Sequence, residues 1–190
     1  DVDRDGQIDL AVGARTAPSY LGASRRGRIS IYRGIEGGYF EDEPYLSFVG
    51  EKNDEYLGEG LALCDFNGDG WLDVAGGGRG FEDEDQSPVA SNSGGVAIWY
   101  GSPEGFAGDP DTVIWGKTFD DAGELVHFKD GYLGTWISAG DMNGDGYCEL
   151  AATLARWDVA DGANDGAVLI YRGGPDGLEA GPVHFWADTE

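Results

Sequence analysis

Apolar residues along this chain come in short runs of period two, and glycine punctuates almost every run. Ile29 and Ile31, Val96 and Ile98, and Val168 and Ile170 alternate inside three segments bounded by glycine, at 27–34, 94–101 and 166–173. Alternation of this kind places side chains on one face of a strand. An apolar run precedes each segment: Leu10 to Ala14, Val74 to Gly78 and Leu150 to Leu154. Beyond each segment comes a glycine and an apolar residue, at Gly38-Tyr39, Gly105-Phe106 and Gly177-Leu178, which predicts a hairpin turn. A further strand is expected at Tyr45–Val49, Thr112–Trp115 and Val183–Trp186. Helical spacing is weak throughout, and no amphipathic stretch carries caps.

The pattern recurs three times, so the chain is a repeat protein. Each unit predicts four short antiparallel strands, A to D, and a loop of fixed composition joins A to B. That is the make-up of a β-propeller blade. The expected fold class is therefore all-β, with about 2.75 blades: strands B to D in 1–50, a full blade in 51–117 and another in 118–190. Propellers close with ~4 to 8 blades. The eleven strands expected here predict completion by further blades or by another chain.

The A–B loops carry the candidate chemistry. They are Asp1-Val-Asp-Arg-Asp-Gly-Gln-Ile-Asp9, Asp65-Phe-Asn-Gly-Asp-Gly-Trp-Leu-Asp73 and Asp141-Met-Asn-Gly-Asp-Gly-Tyr-Cys-Glu149. Calcium takes six to eight hard oxygen ligands in flexible geometry. Side chains at positions 1, 3 and 5 converge when the chain curls, glycine at position 6 permits the curl, position 7 offers a carbonyl and position 9 a carboxylate. The expected ligands are Asp1, Asp3, Asp5, Gln7 and Asp9; Asp65, Asn67, Asp69, Trp71 and Asp73; and Asp141, Asn143, Asp145, Tyr147 and Glu149, for up to three Ca²⁺. The loops at 65–73 and 141–149 are expected to be the better sites. The first starts at Asp1 with no strand A before it, and is expected to bind less well. An EF-hand needs a bidentate Glu at position 12. Val12, Gly76 and Ala152 stand there, so that motif is excluded.

Composition sharpens this picture. Glycine supplies 34 of 190 residues, and hydrophobic residues at 41% exclude a disordered polymer. The net charge of −24 argues against nucleic acid and anionic membrane surfaces as partners. No apolar run approaches the ~20 residues of a membrane-spanning helix. Cys64 and Cys148 are read as small buried hydrophobes. His127 and His184 lie in no nucleophile or zinc motif, so no catalytic residue is assigned. The acidic stretch Glu82–Asp85 and the group Asp158, Asp161 and Asp165 are read as solvated loops. The insertion at 117–131, with Asp120, Asp121 and Glu124, is a candidate partner-binding loop. The tryptophans are expected mainly in blade packing.

Together these features resemble the FG-GAP repeat of integrin α-subunit propellers and bacterial relatives. Tyr56-Leu57-Gly58 and Tyr132-Leu133-Gly134 stand where that repeat has its "FG" element, and Ala11 to Ala14 and Ala75 to Gly78 where it has "GAP". Ala151-Ala-Thr and Glu149 depart from it. The resemblance implies calcium loops on one rim of a propeller at the cell surface, secreted, or in a periplasm. Three functional readings stand open: a non-catalytic binding, adhesion or scaffold module for a protein or glycan; the propeller portion of a polysaccharide lyase or hydrolase; and a structural subunit that assembles through open strand edges into a ring or filament.

Overall fold

The computed structural model describes residues 1–19, 22–83, 91–119, 125–127, 129–156 and 166–187. The acids Glu84, Asp85, Asp120, Asp121, Glu124, Asp158, Asp161 and Asp165 lie outside them. The first part of the chain forms β1 (Leu10–Gly13), β2 (Pro18–Ser19), β3 (Gly22–Arg25), β4 (Arg28–Tyr32), β5 (Gly34–Ile35), β6 (Tyr39–Phe40) and β7 (Leu46–Val49). The middle forms β8 (Gly60–Cys64), β9 (Asp73–Gly78), β10 (Gly95–Trp99) and β11 (Thr112–Trp115). The last part forms β12 (Lys117–Phe119), β13 (Leu125–His127), β14 (Leu133–Gly140), β15 (Glu149–Leu154), β16 (Ala167–Tyr171) and β17 (His184–Ala187). No helix occurs among the described residues.

Three antiparallel sheets carry the architecture, in the orders β1-β4-β7, β8-β9-β10-β11 and β14-β15-β16-β17. Each order follows the chain, so every connection is a hairpin, the arrangement of a propeller blade. The hairpins β2–β3, β5–β6 and β12–β13 are additions to the strands expected from periodicity. The 117–131 insertion accordingly starts with the β12–β13 pair.

The sheets stack face to face, and the alternating residues explain how. Ile29 and Ile31 on β4 are fully buried, packed with Val74, Ala97 and Trp99 of the second sheet. Val96 and Ile98, at the matching positions of β10, likewise face the next sheet, in a core with Leu150, Leu169 and Tyr171 of the third sheet, while Ala97 and Trp99 between them face back to the first. Fully burying a Val, Ile or Leu contributes about 1.5–3 kcal/mol. Strand hydrogen bonds make each sheet, but these interleaved side chains decide that the sheets stack. On the third sheet the matching face carries Val168 and Trp186, which are exposed, with Trp136 exposed on β14. Leu10 and Val12 are exposed on β1, while Ala11 between them packs into the first core.

The two glycine motifs meet across sheets. Gly58 has φ +83° and lies against Gly13 of the first sheet; Gly134 has φ +86° and lies against Gly77 of the second. A Cβ on Gly13 would collide with the Gly58 carbonyl, and one on Gly77 with the Gly134 carbonyl. Leu57 and Leu133, beside them, pair in parallel with Gly27 and Gly94 of the preceding sheet. The Tyr-Leu-Gly lead-in is therefore the docking element of one blade on the last. The tyrosines adopt left-handed backbone, with φ of 60° at Tyr56 and 55° at Tyr132. That conformation is costly for a bulky residue and persists only where its surroundings fix it.

Cys64 and Cys148 correct an expectation. They are not free buried thiols but a disulfide, with Cα atoms 6.0 Å apart. Their sequence separation of 84 gives no hint of proximity. Stacking supplies it: Cys64 ends β8, Cys148 precedes β15, and the two sheets abut at that rim.

Candidate metal centre

The three loops occupy the same corner of their sheets. In the second sheet Cys64 pairs with Asp73 across β8 and β9, and in the third Gly140 pairs with Glu149 across β14 and β15. The second and third loops thus leave strand A and return as strand B within about eight residues, and the first leads directly into β1. The curl needs left-handed backbone. The position-6 glycines supply it, with φ of 90°, 87° and 92° at Gly6, Gly70 and Gly146. Their N–H groups donate to the position-1 carboxylates, Gly6 to Asp1 at 3.1 Å, Gly70 to Asp65 at 2.7 Å and Gly146 to Asp141 at 3.0 Å.

Further bonds inside each loop hold the other oxygens. The position-5 N–H donates to position 3: Asp5 to Asp3 at 3.2 Å, Asp69 to Asn67 at 3.0 Å, Asp145 to Asn143 at 2.8 Å. The position-7 N–H donates to position 5: Gln7 to Asp5 at 2.7 Å, Trp71 to Asp69 at 2.8 Å, Tyr147 to Asp145 at 3.0 Å. Backbone donors orient the side chains of positions 1, 3 and 5 without neutralising the carboxylates among them. The position-7 residues are brought to the same curl.

Position 9, a candidate ligand, also has a structural part. The N–H of position 2 donates to it in every copy: Val2 to Asp9 at 2.6 Å, Phe66 to Asp73 at 2.7 Å, Met142 to Glu149 at 2.9 Å. The second oxygen of Asp9 accepts from Gly34 N at 2.8 Å, and that of Asp73 from Gly101 N at 2.9 Å. These acids tie the loop to the end of strand C. Glu149 instead accepts from the Asn143 side chain at 3.2 Å. Periodicity marked Gly34 and Gly101 as turn residues and gave no sign of this bond. Asp73 is fully buried, and burial pushes its carboxyl up to about 6, assisted by the charges of Asp65 and Asp69 and opposed by the two backbone donors.

The donor set fits a hard divalent cation: oxygen only, mostly carboxylate, with no sulfur or imidazole at positions 1, 3, 5, 7 or 9 of the loops. In the first loop, oxygens of Asp1, Asp3 and Asp9 all lie within 4.8 Å of one another. A positive group already stands at that cluster, because Arg33 Nε donates to Asp3 Oδ2 at 2.7 Å. Arg33 was not singled out from sequence, since nothing ties residue 33 to residue 3 before the sheet forms. The second and third loops have Asn at position 3, and their amides donate to Asp69 at 3.1 Å and Asp145 at 2.9 Å. The first loop, expected to be the poorest, is thus the one in which three carboxylates converge.

The loops also touch one another around the rim. Arg4, at position 4 of the first loop, lies over the Trp71 ring of the second, 4.5 Å from its centroid. Gly68, at position 4 of the second, faces Tyr147 of the third so closely that a Cβ would come within 2.5 Å of the ring. Cys148 N donates to the Asp65 carbonyl at 2.9 Å, and Gly174 N to the Phe66 carbonyl at 3.1 Å.

Comparison with known proteins agrees with this geometry. A family model described as FG-GAP-like repeat matches residues 1–76. Integrin alpha-PS2 of Drosophila melanogaster is 29% identical over 188 residues, covering 96% of this chain and 12% of that protein. Integrin alpha-8 of Mus musculus is 27% identical over 178 residues, covering 94% and 15%. Phosphatidylinositol-glycan-specific phospholipase D of Rattus norvegicus is 30% identical over 158 residues, covering 79% and 17%. The chain therefore spans less than a fifth of the length of these relatives. Repeated four-stranded sheets, the lead-in packed on the glycine motif of the preceding blade, and these similarities place the chain in the FG-GAP repeat family of integrin-like β-propellers.

Proposed function

We propose that the chain is the calcium-binding part of an extracellular FG-GAP propeller that serves as a binding or scaffold module and does no chemistry itself. The observation that carries this reading is the repetition of one oxygen-lined loop at the same corner of all three sheets, each tied down by its position-9 acid. The loops at 65–73 and 141–149, and the loop at 1–9, would each hold Ca²⁺ through the residues named above. A cation there would replace repulsion among clustered carboxylates with attraction, stabilising the rim. The disulfide suits an oxidising compartment.

Two relatives are integrin α-subunits and a third is a phospholipase D, and each contains this stretch as a small fraction of its length. A segment common to such different proteins suits a scaffold better than a catalytic centre. The exposed Trp136, Val168 and Trp186 on one end of the stack, and Leu10 and Val12 on the other, suit further blades as neighbours. A protein or glycan ligand would then be met by loops of the completed ring.

Thermal unfolding of the intact protein with calcium and with chelator tests the reading. The expected result is a higher midpoint with calcium, by several degrees. An unchanged midpoint removes the claim. Calorimetry on Asp69→Ala should show one fewer bound ion, and unchanged stoichiometry would contradict the ligand assignment.

A further inference from the structure

The first loop differs from the others in charge. It holds four carboxylates, at Asp1, Asp3, Asp5 and Asp9, against three in 65–73 (Asp65, Asp69, Asp73) and three in 141–149 (Asp141, Asp145, Glu149). Affinity of such loops rises with ligand charge and with rigidity. By charge alone the first loop would bind a cation most tightly. Yet only there does position 3 carry a charge, and there an arginine of the same sheet reaches it. Arg33 Nε donates to Asp3 Oδ2 at 2.7 Å, while Asp3 Oδ1 accepts from Asp5 N at 3.2 Å. Both oxygens of Asp3 are thus engaged.

The counterparts of Arg33 behave differently. Tyr100, one residue before the closing glycine of β10, turns its hydroxyl toward the next sheet and accepts from Leu178 N at 3.0 Å. Arg172 is exposed, and position 3 in its sheet is the neutral Asn143. Arg33 is also held from behind. Its guanidinium lies over the Tyr45 ring, 3.8 Å from the centroid. A cation–π contact of this kind keeps an arginine in place when its anionic partner is taken away.

We propose that Arg33 is a resident counter-ion of the first loop, which competes with a divalent cation for Asp3 and makes this the weakest of the three sites despite its extra carboxylate. Without the cation, Arg33 neutralises Asp3. With it, the Arg33–Asp3 bond breaks or is shared, the guanidinium stays on Tyr45, and Asp3 turns to the ion. The first loop then fills only at cation concentrations above those that fill the other two. It reports the outside concentration over a different range, while the other loops remain structural.

The inference rests on the calcium reading, and the two can fail separately. The amides of Gly6, Gly70 and Gly146 each bond to the position-1 carboxylate of one loop, so their ¹H–¹⁵N resonances follow the three loops one by one. Calcium is titrated into the intact ¹⁵N-labelled protein, first as wild type and then as Arg33→Gln. The expected result is a Gly6 midpoint above those of Gly70 and Gly146 in wild type, falling about tenfold in Arg33→Gln as a charge-assisted bond no longer competes. Gly70 and Gly146 should keep their midpoints. In an Asp3→Asn background the Arg33→Gln change should have under about twofold effect, because the bonded pair is already gone. Arg33→Lys, which retains the charge, should stay within about threefold of wild type. A Gly6 midpoint that does not move in Arg33→Gln, or that moves equally in the Asp3→Asn background, overturns the proposal while leaving the calcium reading intact. If none of the three glycines responds to calcium, both are overturned.

Discussion

The two inter-blade contacts on the loop rim are built from the same positions by different chemistry. Between the first and second sheets, Arg4 covers Trp71 and no covalent bond occurs. Between the second and third, Gly68 receives the Tyr147 ring, the Cys64–Cys148 disulfide crosses the gap, and backbone N–H groups of Cys148 and Gly174 donate to Asp65 and Phe66. The disulfide adjoins the first candidate ligand position of one loop, Asp65, and the last of the next, Glu149. Two neighbouring loops are thus clamped as a unit, whereas the first is held to its neighbour by a solvent-facing cation–π contact. One repeat can therefore tune the rigidity of each junction without altering the loop itself.

Removing the clamp should have the largest effect. Replacing both cysteines, Cys64→Ala with Cys148→Ala, is expected to lower unfolding free energy by about 2–4 kcal/mol, since the bridge closes a long loop of the unfolded chain. Urea unfolding measures this, and the Gly70 and Gly146 calcium midpoints should weaken together while Gly6 is spared. If Gly6 changes as much as they do, the two junctions are not independent and the contrast fails.

A smaller effect concerns the buried strut of the second loop. The Asp73 carboxyl is raised to about 6 by burial, from the ordinary value of 3.8. The folded state then holds its proton more firmly than the unfolded state does between those values. Stability of the cation-free protein should accordingly fall as pH rises from about 4 to 6, and level off above. Calcium should flatten that slope, because the ion favours the charged carboxylate. Denaturant unfolding across this range in chelator measures it. A slope of the same size in Asp73→Asn would assign it elsewhere.

The smallest effect is expected at the open junction. Arg4→Ala removes the contact with Trp71, worth about 0.5–1 kcal/mol at an exposed position. A double-mutant cycle with Trp71→Ala isolates it. A coupling near zero would leave the first junction to the buried core of Ile29, Ile31 and Trp99 and to the docked lead-in at Leu57 and Gly58.

Much of this molecule is written at fixed offsets along the chain. The three nine-residue loops, the glycine at position 6, the acid at position 9 and the alternation at Ile29/Ile31, Val96/Ile98 and Val168/Ile170 are local. They reflect backbone conformation over a few residues, so they were legible from the sequence, as was the exclusion of an EF-hand by Val12, Gly76 and Ala152. The repeat of these signals also predicted which strands pair, because hairpin connections leave little choice. Contacts between repeats had no such offset. Cys64 meets Cys148 and Arg4 meets Trp71 only because sheets twist and stack with one rim aligned, and Arg33 meets Asp3 only because the first sheet brings the end of β4 beside its own loop. The two glycine motifs were visible as words, but their purpose, a backbone-to-backbone approach between blades with no room for a Cβ, exists only in the packed structure. The sequence by itself determined the blades and their loops. The tertiary structure decided how the loops differ, since charge compensation and covalent clamping depend on which residues, distant in sequence within one repeat or between two, arrive at the same place.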